Sequence, residues 1–162
     1  MLVGDLAIAA AGHWKVYLGV FVVSLAGTIP LILVTERGSR SLPVFVFAVL
    51  LVSVAQGLLG FDHAELWPVL AAFTLFFAAF NYLEARLPAL LTLAAPGTDR
   101  GAALGIFATA QFLGAFGGGA IGGMLLGQFG LSGVFLGSAV VAAAWAAIAL
   151  AGRDRPFQRG SA

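Results

Sequence analysis

The sequence predicts an all-α polytopic membrane protein with about five transmembrane helices. Of its 162 residues, 61% are hydrophobic and only 9% are charged, whereas soluble domains have about 45–50% apolar and about 25% charged residues. This small number of charged groups cannot cover the surface of a soluble protein. The surrounding medium must therefore be lipid. The apolar runs lack the alternation of lipid-facing strands, and helices satisfy their own backbone hydrogen bonds inside a bilayer.

Uncharged stretches divide the chain into five predicted spans. A helix needs about 20 residues to cross about 30 Å of hydrocarbon. Residues 16–35 and 41–61 give one span each, and a third helix starts at Leu66. The 52 uncharged residues 101–152 give two spans joined by a turn at 127–133. The predicted spans are 14–35, 42–61, 66–92, 101–126 and 131–151.

Basic residues predict the orientation of these spans. Cytoplasmic loops are enriched in Lys and Arg, and seven of the eight basic residues fall on one side, with only Lys15 on the other. The sequence therefore predicts a multi-pass protein of the cell inner (plasma) membrane. Its parts are an external, loop-like segment at 1–13, a five-helix bundle at 14–152 and a cytoplasmic tail at 153–162.

The segment 1–13 is too short to span a membrane and lacks the basic start of a signal peptide. Because it resembles a loop, we expect the chain to be a fragment, the C-terminal portion of a larger membrane protein. The alternative is a complete small five-helix assembly or accessory protein, whose glycine-rich helices would bind partner helices.

The inventory of side chains argues against several function classes. The net charge of +1 comes with no basic cluster, so no nucleic-acid footprint is present. The absence of cysteine excludes thiolate metal sites and cysteine nucleophiles. His13 and His63 lie outside the membrane about 50 residues apart, without a third ligand, so we expect no metal site and no intramembrane Ser/His pair. We expect neither an enzyme nor a cofactor.

Three segments of the sequence resemble the major facilitator superfamily, and most closely its bacterial drug/proton antiporters. They are 13–17 (HWKVY), 80–88 (FNYLEARLP) and 101–123. The resemblance relates residues 13–152 to helices eight to twelve of a twelve-helix transporter. It implies a secondary active efflux protein whose partners are the bilayer, a small-molecule substrate, a proton and a missing N-terminal half. Without that half we expect no activity.

Two motifs belong to this resemblance. One is similar to the antiporter signature G-x-x-x-G-P-x-x-G-G, with glycine at the proline position, and its small-xxx-small spacing lets helix backbones approach closely. The other resembles the D-R-x-G-R cytoplasmic loop motif. The helix-packing motif comprises Gly114, Gly118, Gly119, Gly122 and Gly123, and the loop motif comprises Glu36, Arg37, Gly38 and Arg40.

Three uncharged polar side chains are candidates for a substrate cavity. Gln111 lies about 15 Å along its helix from Gly101, near the midplane where transporter sites lie. Gln56 lies in the outer half of its span, and Asn81 lies one turn before Glu84 on the same helix face. Amides can both donate and accept hydrogen bonds, which suits the recognition of varied ligands.

Glu84 is the one carboxylate inside a helical pattern, and its position is near the cytoplasmic edge. A carboxylate in hydrocarbon is costly unless it is hydrated, paired or protonated. We therefore expect a neighbour for it. Glu84 serves gating or conformational coupling, or it is an interfacial acid paired with Arg86 or Arg100.

Overall fold

The computed structural model describes residues 13–36, 41–61 and 65–152, and the regular structure of these residues is entirely helical. Each of the four helices is long and apolar enough to cross a membrane, which confirms the predicted all-α polytopic fold. The segment 1–12, the loop residues 37–40 and the tail 153–162 lie outside the described residues. The helices are α1 (His13–Glu36), α2 (Ser41–Phe61), α3 (Leu66–Ala94) and α4 (Arg100–Ala151).

The fourth helix reverses direction at Gly130. Its 52 residues would extend about 78 Å as one straight helix, more than twice the hydrocarbon thickness. Gly130 has φ 68° and ψ −164°, a conformation open essentially only to glycine. A Cβ placed on Gly137 would lie 2.9 Å from the Leu125 side chain, although 12 residues of straight helix cover about 18 Å. The arms α4N (100–129) and α4C (131–151) therefore form a hairpin, so the described residues contain five helical segments of membrane-spanning length.

The predicted seven-residue turn at 127–133 is therefore too long. Helical structure continues on both sides of Gly130, which is the one residue of α4 with non-helical backbone angles. A single positive-φ glycine is sufficient to redirect the chain because it has no Cβ to clash.

Helix α2 packs antiparallel to α4C. The rings of Phe45 and Trp145 meet edge to face with centroids 5.5 Å apart, and the Ser53 hydroxyl donates to the Ala139 carbonyl at 2.8 Å. From the first contact to the second, the residue number increases in α2 and decreases in α4C, so the two helices run in opposite directions. Helix α2 also packs against α3, so it lies between two neighbours, and its apolar face forms much of the core.

Helix α1 runs parallel to α3 and contacts it through hydroxyl groups. The Thr28 hydroxyl bonds to the Ala78 carbonyl at 3.1 Å, and the Thr35 and Tyr82 hydroxyls lie 2.9 Å apart. Position numbers rise together along the two helices. All three hydroxyl-bearing residues are buried, so these polar groups join the helices instead of facing lipid.

Candidate functional site

The structure brings Glu84 of α3 together with Gln111 of α4N. The Gln111 Nε2 amide donates to both carboxylate oxygens, at 2.9 Å to Oε1 and 3.1 Å to Oε2. Both side chains are exposed at the surface of this chain. The two residues are 27 positions apart, and the connection between α3 and α4 is what makes them neighbours.

The depth of this pair follows from the neighbouring helices. Tyr82, two residues before Glu84, bonds to Thr35 in the last turn of α1. Leu42 at the start of α2 and Leu87 of α3, three residues after Glu84, pack against the same core cluster. Glu84 therefore lies near the end of the bundle where α1 ends and α2 begins.

Gln111 lies at the same level of the bundle as Glu84, because its amide bonds directly to the Glu84 carboxylate. The sequence analysis predicts Gln111 near the midplane and Glu84 near the cytoplasmic edge, and two bonded side chains cannot lie at such different depths. Helix α3 is 29 residues long, about 43 Å, which exceeds the hydrocarbon thickness of about 30 Å. Distance along a helix from its first residue therefore does not by itself give the depth of a side chain.

The chemistry of the pair is that of a carboxylate held by a neutral donor. A carboxylate has about four lone-pair sites and an amide has two donors and an acceptor, so both groups retain capacity for a further partner. An ionised carboxylate in a membrane segment requires water, a partner or a proton. The pair can therefore bind water or a polar ligand.

The neighbour of Glu84 is an amide and not the expected arginine. Among the residues that the structure describes, neither Arg86 nor Arg100 forms an ion pair with Glu84. Arg86 faces a cavity between α1 and α3, and Arg100 is exposed at the first residue of α4. On a helix, residues two positions apart do not share a face, which separates Arg86 from Glu84.

The other two amides lie apart from this pair. Asn81 is half-buried on α3, and its Nδ2 is buried without a hydrogen-bond partner in the described part of the chain. Gln56 is half-buried on α2, and its Oε1 likewise has no partner there. The structure thus joins Glu84 to Gln111 but leaves Asn81 and Gln56 as separate polar groups with unused capacity.

The glycines of the helix-packing motif lie on an uncovered helix. A Cβ added at Gly114, Gly118, Gly119, Gly122 or Gly123 would meet no atom within 4 Å among the described residues. Nearby apolar side chains such as Phe116 are 80% exposed. The glycine surface of α4N is therefore open to a partner from outside the described chain. In the loop motif, the Glu36 side chain and residues 37–40 lie outside what the structure describes.

Sequence reasoning missed a second polar cluster, which lies between α1 and α3. Thr35, Tyr82 and Arg86 line a cavity of about 160 Å³ with three apolar residues. Tyr82 and Arg86 are four residues apart and so share a helix face. This spacing is the feature of the sequence that could have indicated a polar cluster. Their partner on α1 could not be identified without the packing.

Helices that each can cross a bilayer, with polar groups exposed on an apolar surface, define a multi-pass α-helical membrane protein. The chain matches the Major Facilitator Superfamily over residues 5–162, and it belongs to that family. It is 38% identical over 153 residues to the inner membrane transport protein YajR of Escherichia coli strain K12. That match covers 94% of this chain but 34% of the relative, so the chain spans about a third of the relative's length. The resemblance to the major facilitator superfamily inferred from the sequence is thereby confirmed.

Proposed function

We propose that this chain forms part of a secondary active transporter that exports small molecules or drugs in exchange for protons. Family membership and the likeness to an inner membrane transport protein support transport as the general activity. The observation that carries the proposal for this chain is the exposed Glu84–Gln111 pair. A carboxylate and an amide on an otherwise apolar membrane surface are expected where a water-filled pathway passes.

In this proposal the chain is one wall of the pathway. The buried residues of α4 are Ala142 and Ala146, both in α4C, and every residue of α4N is exposed or half-buried, so α4N lacks a covering layer. Transporter sites of this kind lie between repeats. The missing N-terminal half supplies the opposite wall, and the chain alone does not transport.

Within the pathway we assign Glu84 and Gln111 to a gate near the cytoplasmic mouth. The bond between them ties α3 to α4N, and these helices otherwise make few contacts. Breaking and reforming a bond between two weakly packed helices permits them to separate at modest cost. Gln111 also contributes to substrate recognition on the same surface, and Asn81 and Gln56 offer further polar groups to the substrate.

The experiment uses a chimera in which this chain replaces the matching third of YajR, in inverted membrane vesicles. Uptake of a fluorescent cationic dye is followed with and without a protonophore. If Glu84 is part of a gate, the group whose protonation drives transport lies elsewhere. Glu84→Gln should then alter the turnover rate but retain the pH dependence of transport. Gln111→Leu should change the substrate profile.

Thr109→Val is the matched control for Gln111→Leu. Thr109 is exposed on the same arm, and its hydroxyl bonds to the Gly105 carbonyl of its own helix at 2.9 Å. Its replacement should leave turnover and substrate profile unchanged. Loss of pH dependence in Glu84→Gln would identify Glu84 as the proton site, and wild-type behaviour of both pair variants would contradict the gate. Transport by the chain alone would contradict the proposed need for a second half.

The open glycine surface of α4N also suits the alternative, a complete five-helix assembly or accessory protein. The two functions differ in what the chain does by itself. An accessory protein would co-purify stoichiometrically with one membrane partner and would not restore transport in the chimera.

A further inference from the structure

The cavity between α1 and α3 contains a cationic group for which the described part of the chain supplies no anionic partner. Arg86 lines this cavity together with Ile32, Thr35, Tyr82, Ala85 and Ala89, and the cavity volume is about 160 Å³. This is room for several water molecules. The Arg86 Nε is buried and has no hydrogen-bond partner among the described residues. A buried donor of a charged group left unpaired is costly, so the cavity favours an acceptor from outside.

The two hydroxyls of the cavity do not compete for that acceptor. Thr35 donates its proton to the Leu31 carbonyl at 2.8 Å, so in the 2.9 Å contact between the hydroxyls Tyr82 donates to Thr35. Both hydroxyl protons are therefore used within the protein. The guanidinium is left as the available donor of the cavity, and a guanidinium pairs best with an oxyanion such as a carboxylate or a phosphate.

The cavity lies at the end of the bundle where the membrane-length helix α1 ends. Thr35 belongs to the last turn of α1, next to the short connection to α2. Basic pockets between helices at a membrane boundary bind anionic headgroups, and Ile32, Ala85 and Ala89 provide apolar walls for the start of an acyl chain.

We propose that the cavity beside Arg86 binds a phosphate group, carried by an anionic lipid of the adjoining leaflet or by a soluble phosphate. The guanidinium donates to the phosphate oxygens. The bound group occupies the space between α1 and α3 at the end of the bundle. This inference depends on membrane insertion and is independent of what the protein transports.

The test uses the purified full chain in detergent, to which phosphatidylglycerol, phosphatidylcholine or inorganic phosphate is added. The melting temperature and the lipids retained in native mass spectrometry are measured. Phosphatidylglycerol should stabilise the wild type and remain bound, and Arg86→Gln should bind it about tenfold more weakly, as expected for loss of a charge-assisted hydrogen bond. Arg100→Gln removes a cation that does not line the cavity and should bind as the wild type does.

A second variant guards against a folding defect in Arg86→Gln. Ala89→Leu fills the cavity and keeps the charge, and it should also lose the lipid. Stabilisation by inorganic phosphate alone, absent in Arg86→Gln, would support the site with a soluble occupant, whereas phosphatidylcholine as effective as phosphatidylglycerol would overturn the preference for an anionic ligand. Equal binding by the wild type, Arg86→Gln and Ala89→Leu, or no binding by the wild type, would overturn the proposal.

Discussion

Gly57 and Gly60 lie on the same helix but meet different surroundings. A Cβ on Gly60 would lie 2.7 Å from the Leu136 side chain and 3.3 Å from its backbone nitrogen. A Cβ on Gly57 would meet no atom within 4 Å among the described residues. Rotation of the Leu136 side chain cannot remove the backbone contact, so Gly60 is required for the close approach of α2 and α4C.

We predict that Gly60→Ala destabilises the bundle by about 1–3 kcal/mol, the usual range for overpacking. Gly57→Ala is the control and should be neutral or stabilising, because alanine in a helix is favoured over glycine by about 0.5–1 kcal/mol. Unfolding of the purified chain in detergent measures both variants. Equal losses at the two positions would show that the contact with Leu136 is not responsible.

A similar contrast exists between two threonines. The Thr28 hydroxyl contacts the Ser24 carbonyl of its own helix and the Ala78 carbonyl of α3, whereas the Thr74 hydroxyl bonds to Leu70 of its own helix. We predict that Thr28→Val costs about 0.6 kcal/mol, the average for hydrogen bonds between membrane helices. Thr74→Val should change the free energy of unfolding less. The reverse order in the same unfolding assay would contradict an interhelical role for Thr28.

Individual polar residues illustrate what can be predicted from the sequence. Serine and threonine are expected to bond to their own helices, because these acceptors are three or four residues away. The partner of Glu84 is not predictable, since Gln111 is 27 positions distant and only the packing of α4N against α3 brings the two side chains together. The interhelical bond from Thr28 to Ala78 depends likewise on tertiary packing.

At the scale of the element, the break in α4 depends on the conformation of one residue. Gly130 has φ 68°, and a Cβ added there would meet no described atom within 4 Å, so a substitution would introduce backbone strain without a steric clash. The length of the uncharged run predicts a reversal near this position. It does not select among Gly127, Gly130 and Gly133, because all three are compatible with a turn.

We predict that Gly130→Ala destabilises the hairpin by about 1–3 kcal/mol, the cost of a non-glycine residue in this region of backbone space. Gly127→Ala is the control, since Gly127 lies in a helical part of α4 with open space around it. The observable is again unfolding in detergent. No difference between the variants would show that the backbone at Gly130 can adjust at little cost.

At the scale of the whole molecule, the lipid environment determines what can be predicted. Each crossing segment must be apolar and long, so the fold class and the helix ends are readable from uncharged runs, and α1 to α3 end within two residues of the predictions. The sequence does not show which side of each helix faces the core, because lipid-facing and core-facing residues are both apolar. For example, Phe45 is buried in the core whereas Phe116 is 80% exposed.

The proposed orientation leads to a prediction for the complete chain. A cytoplasmic reporter fused after Arg159 should be active, and a phosphatase reporter that works only outside should be active when fused at Asp62, between α2 and α3. The reason is the excess of arginine on the side of the tail. The opposite pattern of activities would reverse the assignment of the Glu84–Gln111 gate to the cytoplasmic mouth.

The hairpin at Gly130 also has a consequence for biosynthesis. From Gly101 to Gly152 the ribosome delivers no charged residue, so the insertion machinery receives no topological signal from the turn itself. Only one non-helical residue lies between α4N and α4C. No loop therefore separates them that would allow one arm to insert into the membrane before the other. The two arms are therefore expected to leave the translocon together, oriented by Arg100 before them and by the arginines of the tail behind them.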